Sequence, residues 1–263
     1  MKKLLILLSL FNFIETQAQQ KEGKITYSRK TQIKFSIGSS QGAQPIEQEK
    51  TDKFELNFAN NQLALHQLPE DIQEETTNNF SSGGGQIVLR TSGSTDDKVF
   101  YDLTTKLKTE SKEFLGKTYL ISDSVRMADW KLSNESKTIL GFNCQKATRT
   151  HISVRNTMFM QNGVMERKEQ SDTSIITAWF TSAIPVAGGP TDMGQLPGMI
   201  LELEMNSGKI VYTAIEIKDK ANKKLIKEPT KGKKVTAAEF LAERKKAQDE
   251  MQQNPRSFQM RIN

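Results

Sequence analysis

Two histidines, among many serines, are the residues in this sequence best suited to catalysis. A histidine serves as general base for a serine nucleophile when the two side chains are hydrogen-bonded within a pocket. The serines are too common to single out a nucleophile, and His151 ends a basic run, residues 146–151, that is typical of a surface strand. An enzyme would need a pocket that places His66 or His151 beside a serine or a carboxylate. We therefore expect no catalytic residues and a protein that is not an enzyme.

A pair of carboxylates is the next candidate for chemistry. Glu202 and Glu204 lie two residues apart on one face of a predicted strand, and Asp192 lies in the loop before it. Such a pair could perform acid–base chemistry or bind calcium. Calcium loops space several oxygen ligands within a dozen residues, and that spacing is missing here. A solvated strand face is the simpler interpretation, so we expect neither a metal ion nor another cofactor.

The only cysteine is Cys144. It lies two residues after Phe142 and thus on the same face of a predicted strand. No histidine or helix N-terminus is near it in sequence, so we expect a buried and inert thiol. A single cysteine cannot form an internal disulfide, and the fold must therefore be stabilised by its core.

The first residues have the composition of a secretory signal peptide. Lys2 and Lys3 precede an apolar run, residues 4–11, and a polar stretch ends at Ala18. This pattern predicts cleavage after Ala18 and export to the periplasm or cell envelope. No later window approaches the roughly 18 consecutive apolar residues of a spanning helix, so no transmembrane span is expected.

The positive charge is concentrated near the C-terminus. The chain has 37 basic and 31 acidic residues, a net charge of +6, and residues 216–263 hold 13 of the basic and seven of the acidic ones. The body before this tail is therefore close to neutral, and we expect no nucleic-acid partner. The tail lysines could contact anionic lipid headgroups at a membrane surface, at about 1 kcal/mol each, although solvation is the simpler expectation.

Short runs of alternating or apolar residues, separated by turn residues, follow one another from Ile25 to Ile217. Few helical periods interrupt them, so the sequence predicts antiparallel pairing and not repeated βαβ units. The predicted fold is mainly β, a single curved antiparallel sheet or a partly open barrel or sandwich with a C-terminal helix. Residues 206–209, Asn-Ser-Gly-Lys, predict a hairpin turn between the last two strands.

The stretch 179–204 is the centre of this organisation. Its first strand, ending at Thr181, has apolar residues on both faces, and its second, residues 199–205, is expected to bury Met199, Leu201, Leu203 and Met205 while the opposite face is mostly wet. Prolines and glycines in the intervening loop fix some backbone angles and free others, which predicts a shaped loop.

The C-terminal part changes in composition after Ile217. Residues 218–234 are rich in lysine and predict an exposed linker. Thr236 and Glu239 then form a capping box that predicts a helix over residues 237–252, resting on the body of the protein. The predicted organisation is a signal peptide (1–18), a β-rich domain (19–217), and a basic linker with a helix (218–263).

Several linked motifs lie along residues 130–202. They are GQLPGMILE at 194–202 with Gly189-Pro190 before it, AWFT at 178–181, and, upstream, WKL at 130–132 and GFNCQKA at 141–147. Together they resemble the signature of the GLPGLI family of exported Bacteroidetes proteins. Gln195 replaces the second glycine of the family signature, and Met199 replaces a leucine. The signature-loop residues that we single out are Gly189, Pro190, Gly194, Leu196, Pro197 and Gly198. The resemblance implies an envelope-associated protein but little chemistry, because the function of the family is largely unknown.

Two interpretations of function follow. The first is non-catalytic binding of a hydrophobic or peptide-like ligand by the curved sheet, with the loop 189–198 at its rim, by a weaker analogy to the periplasmic lipoprotein carriers. The second is a protein–protein interaction module, or an accessory of an outer-membrane assembly, that docks on another envelope protein through the loop and the basic tail helix. The loop itself is expected to build a difficult corner more than to bind.

Overall fold

A computed structural model of the chain describes residues 20–35, 46–69, 80–82, 85–87, 97–125, 128–161, 164–191 and 196–253. Strands dominate this part of the chain, and one helix ends it. The mainly β fold with a C-terminal helix, predicted from the sequence, is confirmed. The elements are β1 (Gly23–Phe35), β2 (Ile46–Ala59), β3 (Gln62–Gln67), β4 (Phe80–Ser82), β5 (Gly85–Ile87), β6 (Lys98–Asp102), β7 (Leu107–Phe114), β8 (Lys117–Ser124), β9 (Lys131–Ile139), β10 (Phe142–Gln161), β11 (Val164–Thr181), β12 (Met199–Met205), β13 (Ile210–Lys218), β14 (Lys233–Thr236) and α1 (Ala237–Gln253).

Within the described residues, twelve strands form one open sheet in the order β14-β8-β7-β6-β3-β2-β1-β13-β12-β11-β10-β9. Neighbouring strands are antiparallel except β14, which pairs in parallel with β8. The short strands β4 and β5 form a separate pair. The N-terminal strand β1 thus lies in the middle of the large sheet, between β2 and β13.

The large sheet is curved. Its first core cluster unites buried side chains of β1, β2, β3 and β6 with Ile139 of β9, Cys144 of β10 and residues of β12. In a flat sheet β6 and β9 would lie about 38 Å apart, eight strand spacings. The sheet must therefore bend to bring these side chains into one cluster, and the loop residues Ile184 and Val186 lie within it.

Strand β12 is buried on both faces. Met199 and Leu201 belong to the first core cluster, whereas Ile200 and Leu203 belong to a second cluster with residues of β10, β11 and β13. The prediction of one buried and one wet face was wrong for this strand. The reason is a β-bulge in β12. Its pairing with β11 shifts by one residue between Trp179 and Phe180, and this shift places Leu203 on the face opposite to Met199 and Leu201.

The turn between β12 and β13 confirms the predicted hairpin. Asn206, Ser207 and Gly208 have φ angles of 52°, 56° and 82°. These angles lie in the left-handed region, which asparagine and glycine tolerate better than most residues. The turn ends the paired part of the two strands at Met205 and Ile210.

After β13 the chain crosses the sheet as a strap, which we define as residues 219–232. The amide of Asn222 donates to Oδ1 of Asn57 on β2 over 2.8 Å, and Glu228 accepts a hydrogen bond of 2.7 Å from Thr109 on β7. Most strap side chains are exposed, as the predicted linker implies. The strap is nevertheless held on the sheet by these polar contacts, which leave no hydrophobic pattern in its sequence. It leads into β14, a strand that the sequence did not predict.

Helix α1 begins with the predicted capping box. The Thr236 amide donates to Oε2 of Glu239 over 2.7 Å, and the Glu239 amide donates to Oγ1 of Thr236 over 3.2 Å. Phe240 packs its ring against Tyr119 at 5.1 Å between centroids and so holds the first turn on the sheet. The next residue, Leu241, is 65% exposed. Within the described part of the chain, no helix has both the length and the apolar character needed to cross a membrane.

Candidate functional site

The signature loop, residues 182–198, connects β11 to β12 through a three-residue turn. The amide of Gly198 donates to the carbonyl oxygen of Leu196 over 2.7 Å, and Pro197 between them has a fixed φ. The amide of Met199 then donates to the carbonyl oxygen of Ile184 over 3.0 Å. Leu196 is buried in the second core cluster, while Pro197 is exposed. The turn is therefore anchored in the core by Leu196 and exposes Pro197 to solvent.

Two glycines of the signature loop permit close packing. A Cβ atom on Gly198 would collide with the backbone carbonyl of Thr181, and one on Gly189 would lie 3.0 Å from Cβ of Ile200. Pro190 is buried, and Gly194 lies outside the described residues. These contacts support the expectation that the loop builds a corner, and among the described signature residues Pro197 is the one that reaches the surface.

A bulge in the edge strand β9 lies beside this turn. Leu132 pairs with Ala147 and Ser136 pairs with Gln145, so residues 133–135 on β9 stand against a single residue on β10. The side-chain amide of Gln145 donates to the carbonyl oxygen of Ser133 over 2.9 Å. Bulges redirect side chains and are frequent near functional sites.

The bulge and the signature turn together line an open depression with a volume of about 370 Å³. Its lining residues come from β9, β10, the end of β11 and the turn: Asn134, Glu135, Ser136, Asn143, Gln145, Phe180, Ser182 and Pro197. The side chains are mostly amides and hydroxyls, which both donate and accept hydrogen bonds. Lys146 holds Glu135 at 2.9 Å, so the carboxylate in the lining is partly neutralised. The depression thus offers neutral polar groups beside an apolar wall of Phe180 and Pro197.

Glu202, one of the predicted paired carboxylates, lies near Trp179. Nζ of Lys137 lies 2.6 Å from Oε1 of Glu202 and 4.4 Å from the centre of the Trp179 ring. Lys146 approaches the same ring at 5.9 Å. The Glu202 carboxylate therefore forms an ion pair with Lys137, and the same lysine makes a cation–π contact with Trp179. This arrangement differs from the solvated face expected from the sequence. Among the described residues no cluster of histidine, cysteine or acidic residues could hold a metal ion.

Cys144 is buried, as predicted. Burial raises the pKa of its thiol to about 11. A thiol with such a pKa stays protonated at neutral pH and is a poor nucleophile.

The two histidines lie on different strands, and each faces a residue that could assist it. His66 on β3 stands opposite Glu55, but the Glu55 carboxylate is engaged by Lys24 at 2.7 Å and by Asn57 at 2.9 Å. Burial lowers the pKa of His66. His151 on β10 stands opposite Ser174, whose hydroxyl is buried and makes no hydrogen bond. Neither histidine lines the depression.

Sequence reasoning missed one serine motif, because no Gly-x-Ser-x-Gly elbow was expected in this chain. Residues 38–42 read Gly-Ser-Ser-Gln-Gly, the Gly-x-Ser-x-Gly pattern of a hydrolase nucleophile elbow. That elbow joins a strand to a helix. Here the motif lies outside the described residues, in the connection between the antiparallel strands β1 and β2. The flanking strands therefore do not provide the strand–turn–helix context that the chemistry requires.

A buried ion pair, which the sequence did not reveal, lies where β1 meets β2. Asp52 is 1% exposed, and its Oδ2 accepts hydrogen bonds from Nε and Nη2 of Arg29 at 3.1 and 2.5 Å. Lys50 lies 3.1 Å from Oδ1. Burial alone would raise the pKa of Asp52, but these cationic partners outweigh it and hold the pKa below its ordinary value. The Arg29 guanidinium also lies 4.8 Å from the centre of the Phe54 ring.

Two family models match parts of this chain. Residues 130–202 match a family described as "Protein of unknown function (Porph_ging)". Residues 167–244 match a family described as "N-glycanase peptide, N-terminal domain". No individual curated protein matches the sequence.

Two solved structures of PNGF-II, in the C2 and P21 space groups, are similar to this chain. Their sequence identities are 17% and 19%, and their TM-scores are 0.49 and 0.46. Each match covers 84% of this chain and 32% of the PNGF-II chain, so this chain spans about one third of the length of those proteins.

The first matched stretch, residues 130–202, begins just before the bulged strand β9 and ends within β12. It includes β10, β11 and the whole signature loop. The candidate site therefore lies within a stretch that matches a domain family of unknown function.

Proposed function

We propose that this protein is an exported, non-catalytic binding module and that the depression beside the signature turn holds a peptide-like ligand. The observation that carries the proposal is the lining of the depression, in which side-chain amides and hydroxyls surround the exposed Pro197. Each residue of a peptide backbone offers one donor and one acceptor, which amide side chains match in both respects. The volume of about 370 Å³ is sufficient for a short segment and not for a large ligand.

The architecture of the depression supports binding on rigid elements. Its polar groups are placed by a bulge that Gln145 fastens and by a turn that Leu196 anchors in the core. Groups held in this way lose little freedom when a ligand binds, so less binding free energy is spent on ordering them. A hydrophobic ligand finds less support, because side chains of the sheet themselves form the two large core clusters.

Membership of the GLPGLI family and export to the cell envelope are part of this proposal. The match to a family of unknown function covers all of the GLPGLI-like motifs named above, and residues 2–18 have the composition of a signal peptide. Mass spectrometry of the protein recovered from its native cells should show an N-terminus at Gln19. A recovered chain that keeps residues 1–18 would argue against export.

The second family match supports an accessory role. Its description names the N-terminal domain of an N-glycanase, and from this match we infer that the present chain accompanies another activity by binding. Glycosylated peptides are therefore a useful second ligand set beside unmodified ones.

The test is direct observation of the depression by NMR. An equimolar mixture of random-sequence hexapeptides should shift the side-chain amide resonances of Asn143 and Gln145. The double variant Asn143→Ala/Gln145→Ala should lose at least about 1 kcal/mol of binding free energy, since each lost hydrogen bond contributes about 0.5–1.5 kcal/mol. The matched control Gln32→Ala/Gln48→Ala removes two side-chain amides from β1 and β2, away from the depression. Equal affinity of both double variants would refute the proposed site.

A second candidate function is docking on another envelope protein through α1. The specific observation is that Leu241 is 65% exposed, directly after the anchoring Phe240. Crosslinking in intact cells should capture a partner that Leu241→Glu loses, while Leu225→Glu, at a strap residue 41% exposed, retains it. Deleting residues 218–263 would not be a clean test, because it also removes the strap and β14. Retained capture by Leu241→Glu would exclude this role of the helix.

A further inference from the structure

Strands β10 and β11 continue well beyond the rest of the sheet. They pair from Gln145↔Phe180 to Gln161↔Val164, but β9 pairs with β10 only as far as Thr148, and β12 pairs with β11 only from Thr177. Residues 149–161 and 164–176 therefore form a ribbon of 13 residue pairs. Among the described residues, no strand pairs with either outer edge of this ribbon. At about 3.3 Å per residue the ribbon is roughly 43 Å long.

The described side chains along the ribbon are mostly exposed, and two of them are large and apolar. Ile152 is 67% exposed and Ile175 is 61% exposed. Ile152 pairs with Thr173 and Ile175 with Thr150, so both isoleucines lie on the same face of the ribbon. A two-stranded ribbon is marginally stable in water by itself. Unpaired edges and exposed apolar side chains are features that association with another chain would satisfy.

The edge of β11 borders a notch in the sheet. Its floor is the turn between β12 and β13, where the amide of Gln32 on β1 donates to the carbonyl oxygen of Lys209 over 2.8 Å. Beyond this floor β1 continues to Phe35 on one side and the ribbon continues on the other. Strands β1 and β11 are separated by β13 and β12 in the sheet order, so they lie about 14 Å apart at the floor. The notch is wide enough for an added strand.

We propose that the edge of β11 from Val164 to Ile175 accepts an extended polypeptide segment of a partner protein as an added β-strand. The segment would continue the line of β12 and would hydrogen-bond through its backbone, as in other strand-addition complexes. Apolar side chains at alternate positions of the segment would lie beside Ile175 and on the same face of the sheet as Ile152, because alternate side chains share one face. The opposite edge, on β10, is a poorer site because Trp130 and Arg149 pack together at its root, 5.5 Å from ring centre to guanidinium.

The experiment uses hydrogen exchange of the purified protein with a synthetic probe, a 12-residue peptide that alternates valine with threonine and lysine. The peptide should slow exchange of backbone amides in residues 164–175 by about tenfold or more. The same peptide with every backbone nitrogen methylated keeps its side chains, but the methyl groups remove the backbone donors and block close approach to a strand edge, so it should give no protection. Ile175→Lys should weaken the protection severalfold. Ile215→Lys, at an isoleucine 45% exposed on β13, should leave it unchanged.

Other outcomes would overturn the proposal. Unchanged exchange in residues 164–175, or equal protection by the methylated peptide, would exclude backbone pairing at this edge. Light scattering that shows a dimer without peptide, lost in Ile175→Lys, would identify a second copy of this chain as the occupant instead. The binding site proposed above does not depend on the ribbon, because Asn143 and Gln145 precede it on β10 and their resonances report separately.

Discussion

Asp52 is the most buried of the charged residues in the described part of the chain. It is buried and held by Arg29 and Lys50. Replacing it by alanine leaves the half-buried guanidinium of Arg29 without its carboxylate, and loss of one partner of a buried pair is strongly destabilising. We expect Asp52→Ala to lower the free energy of unfolding in urea by about 2–4 kcal/mol.

The matched control is Glu49→Ala on the same strand. Glu49 pairs with Lys30 at 3.0 Å, but both side chains are at least half exposed. Exposed pairs contribute about 0–1 kcal/mol. Equal losses for the two variants would show that the burial of Asp52 has no energetic consequence.

Cys144 offers a second residue-level prediction. Because its thiol is buried and its pKa is raised to about 11, it should not react with a thiol reagent such as DTNB in the folded protein at neutral pH. The unfolded protein in urea should react fully, with one thiol per chain. Rapid labelling without urea would contradict the described burial.

The environment of Cys144 follows from local sequence, whereas that of Asp52 does not. Cys144 was predicted to be buried because it shares a strand face with Phe142, and that local alternation survives in the fold. Asp52 and Arg29 were not singled out, because charged residues in an alternating strand are normally interpreted as its wet face. Their pairing is set by the register of β1 and β2, which the sequence pattern does not determine.

At the scale of elements, the crossing from the signature loop into β12 should be intolerant of a side chain at Gly198. A Cβ atom there would collide with the carbonyl group of Thr181, which is backbone and cannot rotate away. We expect Gly198→Ala to lower the free energy of unfolding by about 2–3 kcal/mol, as overpacking does elsewhere. Thermal or urea unfolding would measure the loss.

Gly116→Ala separates this collision from a purely backbone effect. Gly116 has a φ of 70° and no atom within 4 Å of its hypothetical Cβ. Its replacement should therefore cost only about 1–2 kcal/mol for the left-handed conformation. If Gly198→Ala proved the milder substitution, the close approach to Thr181 would not be important for stability.

The elements themselves were largely predictable from alternation and turn residues. The hairpin at residues 206–209 and the capping box of α1 follow local rules, and both occur where predicted. The bulges in β9 and β12 were not predictable in the same way. A bulge is a mismatch between two strands, so it depends on pairing between distant residues and leaves no period in either strand alone.

At the scale of the whole molecule, stability should be greatest near neutral pH and fall on both sides. The pKa values of Asp52 and Glu55 are lowered by their cationic partners against the effect of burial, and that of His66 is lowered by burial. Groups with lowered pKa values stabilise the fold above their ordinary pKa and lose that contribution as pH falls. The loss should begin below about pH 6.5 for His66 and below about pH 4 for the carboxylates.

The alkaline side has the opposite sign. Burial raises the pKa values of Cys144 and Tyr27, so their contributions are complete below the ordinary values and decline above about pH 8.5 and pH 10. Urea unfolding across this range should give a dome. In Cys144→Ala the decline should begin only near pH 10, and an unchanged onset would rule out a contribution from the thiol.

The fold class was predictable because composition and alternation report on every strand at once. The order of the strands could not be predicted in this way. Strand β1 pairs with β13, which is far from it in sequence, and β14 pairs with β8 in parallel. The candidate site was only half predictable. The turn at residues 196–198 carries a visible motif, but the facing bulge and amides are brought to it by the sheet.

The central position of β1 would have a consequence under the export that we propose, in which the chain crosses a membrane with its N-terminus first. Strand β1 emerges before the other described strands, and its second neighbour, β13, is complete only when residues 210–218 have followed. The outer edge of β8 stays unpaired until residues 233–236 arrive. Such long-range closures make folding slow. Until residues 233–236 have followed, a chain emerging by the export that we propose would present two unpaired strand edges, so a chaperone or a delay in release would protect it from pairing with other chains.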